Sequence, residues 1–242
     1  MVKKMRDIQF HTLVDGSTVE IERKSAGRGH RYILNGGEPA GSVTSVLGHL
    51  DSDAYGIGMN WALKMARLAD GDLDAARHAS ADAQKAGTLL HSQVESFIND
   101  GTIAEDETFL AWHHLMTGYE LSEGFQFTAT ERFVYDPELM IGGTVDCIVQ
   151  SLDGGEFHVY DWKTKERESF DKYGPSTKDF TQVAGYVHAL RAMNSEWQPT
   201  KAFIVYVMRD GSRAERVEVP LKQYIPIYEA AHKIHSLLQG VR

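Results

Sequence analysis

The apolar residues of this chain change their spacing near Tyr119, and the change decides what its centre can fold into. From Ser42 to about Tyr119 they recur every third or fourth position: Val43, Val46 and Leu47, then Trp61, Leu63, Met65 and Leu68, then Leu89, Leu90, Val94, Phe97 and Ile98. That spacing lines one face of a helix. Glycines at 56, 58, 71 and 87 are expected to break it into pieces, and a further helix is expected over 105–119. From Phe125 the period is two, as in half-buried strands, over Phe125–Tyr135, Met140–Gln150 and Phe157–Lys163. Asp136-Pro137 and Asp153-Gly154-Gly155 separate these runs as turns. A helix marked by Phe180, Val183, Ala184, Val187 and Leu190 follows, then a buried strand at Phe203–Met208, a polar edge strand at Arg213–Val219 and a closing helix at Leu221–Leu238.

The central order is helix, three strands, helix, strand. Because the fourth strand is reached through a helix, it should pair in parallel with an earlier one, which gives an α/β fold with a mixed central sheet. Ahead of this, residues 8–35 alternate apolar and polar around Asp15-Gly16 and Asn35-Gly36-Gly37, the pattern of a β-hairpin. The expected organisation is an N-terminal β-hairpin extension over 1–41 and a main domain over 42–242 whose region 42–120 is helical.

Composition narrows the functions. With 42% hydrophobic and 24% charged residues, the chain has enough apolar surface for a core. No apolar run approaches the ~20 residues of a membrane span, so no membrane role is expected. The net charge of −9 leaves no global basic field, so a polyanion would have to be gripped locally. Local bias exists near the start, where Lys3, Lys4, Arg6, Arg23, Lys24, Arg28 and Arg31 outnumber the acids. A single cysteine, Cys147, excludes an internal disulfide, a Cys-rich zinc module and an iron–sulfur cluster, and reads as a buried small hydrophobe. The first residues form no secretory or transit signal, and a cytoplasmic location in a bacterial or phage-infected cell is expected.

Chemistry concentrates between Gly142 and Lys163. With Asp153 and Gly154 as a two-residue hairpin loop, Asp146 falls opposite Asp161, with Cβ atoms roughly 4.5–5.5 Å apart. Lys163 shares the face of Asp161. If Gly155 joins the loop, the register slips by one and the construction fails. Two facing carboxylates repel unless a cation lies between them, and hard oxygen ligands suit Mg²⁺ or Mn²⁺. Such a centre suits phosphodiester hydrolysis, with Lys163 positioning or deprotonating the attacking water, if desolvation lowers its pKa, or neutralising the transition state. A solvated Asp/Lys face of a plain hairpin is the other reading of the same spacing.

Gly143-Thr144-Val145-Asp146, Asp161-Trp162-Lys163-Thr164 and Gln182-Val183-Ala184-Gly185-Tyr186 resemble, in order, the motifs of the RecB-like branch of the PD-(D/E)xK nucleases. Upstream, Gly87-Thr88-Leu89-Leu90-His91 with Glu95 is similar to that branch's helical histidine motif, and Ser42–Leu47 with the preceding hairpin resembles the exonucleases of mitochondrial genome maintenance and their phage and bacterial relatives. The resemblance implies a restriction-endonuclease-like αβββαβ core with a helical insertion. It implies that His91, Asp146, Asp161 and the Trp162 carbonyl bind the metal, that Lys163 is catalytic, and that Gln182 and Tyr186, with Thr164 beside the lysine, support the site or touch DNA. Glu131 matches an acidic position of the branch. Glu95 is either a partner of His91 or a plain helix-surface acid. The activity implied is a Mg²⁺- or Mn²⁺-dependent DNA exonuclease of replication, repair or recombination, phage-encoded in one version, acting on single strands or duplex ends, with a single-strand annealing or replication protein as partner. An endonuclease or flap nuclease of the same fold, and a binding module that has lost catalysis, are the alternatives. Lys163, Lys165, Arg167, Lys172 and Lys178, interleaved with Phe170, Tyr173 and Phe180, offer a DNA-tracking stretch that acids at 166, 168, 171 and 179 dilute, and region 51–90 reads either as a cover over the site or as packing alone.

Overall fold

The structure, a computed structural model, describes residues 7–26, 29–48, 57–72, 74–118 and 123–240. The strands are β1 (Asp7–Thr12), β2 (Thr18–Ala26), β3 (Gly29–Leu34), β4 (Pro39–Ser42), β5 (Phe125–Asp136), β6 (Ile141–Ser151), β7 (Phe157–Lys165), β8 (Pro199–Met208) and β9 (Ala214–Glu218). The helices are α1 (Val43–Leu47), α2 (Ile57–Leu68), α3 (Ala75–Asp100), α4 (Glu107–Gly118), α5 (Arg167–Tyr173), α6 (Thr177–Ala192) and α7 (Leu221–Gly240). The expected mixed sheet is present: β5, β6 and β7 are antiparallel, β8 lies parallel to β7 after the α6 crossover, and β9 closes the edge antiparallel to β8. Strands β1 to β4 continue the same sheet, because β4 pairs in parallel with the start of β6. Among the described residues, no helix is long and apolar enough to cross a membrane.

Period-two alternation sorts side chains onto two faces. Along β8, Ala202, Ile204, Tyr206 and Met208 join a core with α1, α6 and α7, while Phe203, Val205 and Val207 join a second core with α3 and α4. The sheet is therefore sandwiched between two helical layers. Gly87 does not break the helix. It lies inside the 26-residue α3, on the side facing β7, where a Cβ would make only an ordinary 3.8 Å contact with the Thr164 hydroxyl.

Two turns carry the chemistry written into their residues. Asn35 (φ 48°) and Gly36 (φ 70°) both adopt positive φ, as the tight turn between β3 and β4 demands. The β6–β7 loop is longer than the expected two residues. Ser151 N–H bonds to the Glu156 carbonyl, so Leu152, Asp153, Gly154 and Gly155 are all outside the ladder. Gly155 does join the loop, but the expected slip does not follow, because Leu152 leaves the other strand with it and the register survives: Cys147 faces Tyr160 and Gln150 faces Phe157. Asp146 and Asp161 consequently come next to each other.

Candidate metal centre and nuclease site

The site lies where the sheet forks. One edge of β6 is covered by β5. The other edge pairs with β4 at Ile141 and Gly142 and with β7 at residues 147–150, which leaves 143–146 without a strand partner. At the fork, Trp162 N–H donates to Oδ2 of Asp146 (2.8 Å) instead of to a ladder carbonyl. The glycines of the Gly142-Gly143 pair admit large rings on each side. A Cβ on Gly142 would fall 2.3 Å from the Tyr32 ring, and one on Gly143 would fall 2.6 Å from the Tyr186 ring.

Helix α3 brings His91 to this fork. Its Nδ1 lies 3.6 Å from Oδ1 of Asp146 and 3.6 Å from Oε1 of Glu131, and its Nε2 lies 3.1 Å from the Trp162 carbonyl. Donor atoms of His91, Glu131 and Asp146 all fall within 4.8 Å of one another, the one such group among the described residues. Asp161 stands outside that triad. It is 1% exposed, and its Oδ2 is 2.5 Å from Lys163 Nζ. Its Oδ1 has no hydrogen-bond partner among the described residues, so lone pairs remain unused beside the ammonium.

Charge crowding shows in the proton affinities. Burial, then the Asp161 charge, pushes Asp146 up to about 7, against the pull of His91 and Lys163. Burial would lower His91, but Asp146, Glu131 and Asp161 outweigh it and raise it to about 9. The same contest at Lys163, burial against Asp161 and Asp146, ends with its pKa raised. The expected lowering by desolvation is reversed, because the lysine is buried together with a carboxylate and stays an ammonium. Two oxygen donors and an imidazole at one point, with unused carboxylate lone pairs beside them, fit a divalent cation.

The remaining sequence candidates separate. Gln182 Nε2 donates to the Tyr186 hydroxyl (2.7 Å), and Tyr186, with Asp146, lines a cleft of about 290 Å³ that also contains Arg23, Tyr32 and Thr144. Thr164 lies on β7 against α3. Glu95 is half-buried one turn beyond His91 and makes no hydrogen bond or ion pair among the described residues. The basic stretch is largely neutralised: Lys165 pairs with Asp179 (2.8 Å), Arg167 with Asp210 (3.5 Å), and Phe170 is buried against Tyr206. Lys3, Lys4, Arg6 and Arg28 of the N-terminal basic bias, and residues 51–56 and 73 of the suggested cover, lie outside the described residues.

Arg23, one of the basic residues of the N-terminal bias, reaches the cleft: its guanidinium lies 4.6 Å from the Phe133 ring and bonds to Thr144 (3.3 Å). Sequence reasoning missed Gln9, whose carboxamide is tied to β5 at Glu131, because it sits in an ordinary alternating run that no local signal marks.

The model of the PD-(D/E)XK nuclease superfamily matches residues 71–242. This chain belongs to that superfamily. The match spans α3, which carries His91, and every strand that carries an acidic member of the site. PD-(D/E)XK nucleases generally use divalent metals, and the donor set of the triad fits such an ion. No curated protein matches the chain. Among solved structures it is similar to LHK-Exo in complex with dAMP, at 12% identity and a TM-score of 0.40 over 81% of this chain and 89% of that one. It is also similar to the alkaline exonuclease LHK-Exo from Laribacter hongkongensis, at 12% identity and a TM-score of 0.32 over 64% and 84%.

Proposed function

We infer that this PD-(D/E)XK nuclease is a Mg²⁺- or Mn²⁺-dependent DNA exonuclease of the RecB-like branch, working in replication, repair or recombination. The observation that carries the reading is the meeting of His91, Glu131 and Asp146 beside an Asp161–Lys163 pair at the fork of the sheet. His91, Asp146 and Glu131 would hold the ion, with Asp161 facing it from β7. The ion, when bound, polarises the scissile phosphate and acidifies water next to it. Trp162 orients two of these ligands at once, its N–H on Asp146 and its carbonyl on His91.

Lys163, held cationic by Asp161, is a donor to the phosphate and stabilises the charge that builds on it during in-line attack. A general-base role does not suit a lysine whose proton is held this firmly. The cleft beside Asp146, lined by Arg23, Tyr32 and Thr144, offers one cation and two hydroxyls to a nucleotide next to the scissile bond. The exonuclease assignment, as distinct from endonuclease, rests on the likeness of the ordered motifs to the RecB-like branch.

The test is a time course on end-labelled single- and double-stranded DNA and on a closed circle, with Mg²⁺, Mn²⁺ or EDTA, alongside Lys163→Ala. Shortening of linear DNA alone, dependent on metal and lost in the variant, is the expected result. Cutting of the circle would make the protein an endonuclease, and binding without any cleavage by the metal-loaded protein would make it a DNA-binding module.

A further inference from the structure

Glu131 reaches the triad from a backbone that a glutamate rarely adopts. It sits in the middle of β5 with φ 50°, in the left-handed region. The ladder on either side stays in register, Thr130 facing Cys147 and Arg132 facing Val145, so no residue has been inserted. Among the described residues, no strand pairs with the opposite edge of β5. There Gln9 of β1 lays its carboxamide against the bare backbone: Nε2 donates to the Glu131 carbonyl (2.8 Å) and Oε1 accepts the Phe133 N–H (2.8 Å). On the β6 side, the Thr130 hydroxyl donates to the Asp146 carbonyl (2.9 Å). Arg132 Nη2 bonds to the Phe10 carbonyl (3.0 Å), tying β1 to β5 a second time. A carboxamide offers one acceptor and a donor, as a peptide group does. Gln9 therefore replaces a neighbouring strand at one point only, the point where β5 turns left-handed.

We propose that Gln9 is the positioning residue of the metal centre: by holding the Glu131 carbonyl and the Phe133 N–H, the main chain that leaves the left-handed residue, it fixes the Glu131 carboxylate beside His91 and Asp146. The inference rests on the reading of His91, Glu131 and Asp146 as ion ligands. Gln9 touches neither ion nor substrate and acts through Glu131. The N-terminal strands thus shape the centre without supplying a ligand to it.

The test is a thermodynamic cycle on the full chain without DNA. Mn²⁺ affinity is measured by calorimetry for the parent, Gln9→Ala, Glu131→Ala and the double variant, with the melting midpoint of each in EDTA as a folding control. Gln9→Ala is expected to weaken Mn²⁺ about 10-fold or more, the range for residues that orient ligands, and the double variant should bind no more weakly than Glu131→Ala alone. Equal weakening by Gln9→Ala in both backgrounds would make Gln9 a general support of the fold and overturn the proposal. So would an unchanged affinity in Gln9→Ala when Glu131→Ala has lost it. Unchanged affinity in Glu131→Ala itself is a separate failure, that of the ligand reading. If Gln9→Ala does not fold, Gln9→Met, similar in length and without the carboxamide, takes its place in the cycle, and the same results support or overturn the proposal.

Discussion

Trp162 N–H donates to Oδ2 of Asp146 over 2.8 Å, so that a side-chain carboxylate occupies the place of a ladder carbonyl where β6 and β7 part. The geometry holds Asp146 still, and burial makes its charge costly. In the metal-free protein its pKa is raised to about 7, whereas an unfolded aspartate titrates near ~3.9. Between those values the native state holds the extra proton, so stability falls as pH rises. His91, raised to about 9, contributes stability that is complete below the unfolded value of ~6.5 and is lost as pH rises through about 9. Both act in one direction. The melting midpoint in EDTA should fall between pH 5 and pH 9, Asp146→Asn should flatten the fall, and Mn²⁺ at pH 8 should reverse it. A midpoint in EDTA that climbs across this range would contradict the assignment.

Lys163→Met should abolish cleavage and, at pH 8, destabilise the protein by about 3 kcal/mol, the lower end for stripping one partner from a buried ion pair. Asp161, 1% exposed, is then left without its cation. Denaturant melts of the variant beside the parent check this, and Asp161→Asn added to Lys163→Met should recover much of the loss; no recovery would refute the pairing as the cause.

Gly143→Ala should cost about 1–3 kcal/mol, as overpacking does, since its Cβ would lie 2.6 Å from the Tyr186 ring. Tyr186→Leu should rescue most of the loss in the double variant, whereas Tyr186→Phe, which keeps the ring, should not. Thermal unfolding of these variants beside the parent checks this.

His188 Nδ1 lies 2.8 Å from Oδ2 of the fully buried Asp136. His188→Ala should destabilise by about 1–3 kcal/mol, limited because Asp136 keeps the N–H groups of Glu138 and Leu139. The hydrogen bond to Asp136 raises the pKa of His188, and the bonds from His188 and the two N–H groups lower that of Asp136 against burial. The pair's stabilisation therefore fails as pH falls through the depressed aspartate pKa and again as it rises through the elevated histidine pKa. Nuclear magnetic resonance titration of His188, with stability measured across the same range, should locate both limits.

Most of the strand order is legible in the sequence because each face of a sheet repeats every second residue, and the parallel β7–β8 pairing follows from the helix between them. The facing of Asp146 and Asp161 is legible for a less secure reason. Asp153-Gly154 points to a two-residue turn and the loop has four, but Leu152 and Gly155 leave the ladder symmetrically, so the register is preserved. The site's finer geometry is not legible. Glu131 carries less weight than Asp161 on motif grounds, yet a left-handed backbone, invisible in the letters, puts Glu131 in the triad and leaves Asp161 with Lys163. The charge state of Lys163 likewise depends on which neighbour is buried with it. The dilution of the basic stretch from Lys163 to Lys178 by Asp179 is legible, but the pairing of Arg167 with Asp210, distant in sequence, is not.

Where β6 exchanges β7 for β4, the sheet has a window in it. His91 arrives at Asp146 from one helical layer and Tyr186 arrives at the same cleft from the other. Two hydrophobic cores on opposite faces of the sheet are thereby mechanically joined at the one residue whose position matters most. Leu90 and Val94, packed beside His91 in one core, and Val183 and Val187, packed beside Tyr186 in the other, become levers on the chemistry although none can touch a nucleotide.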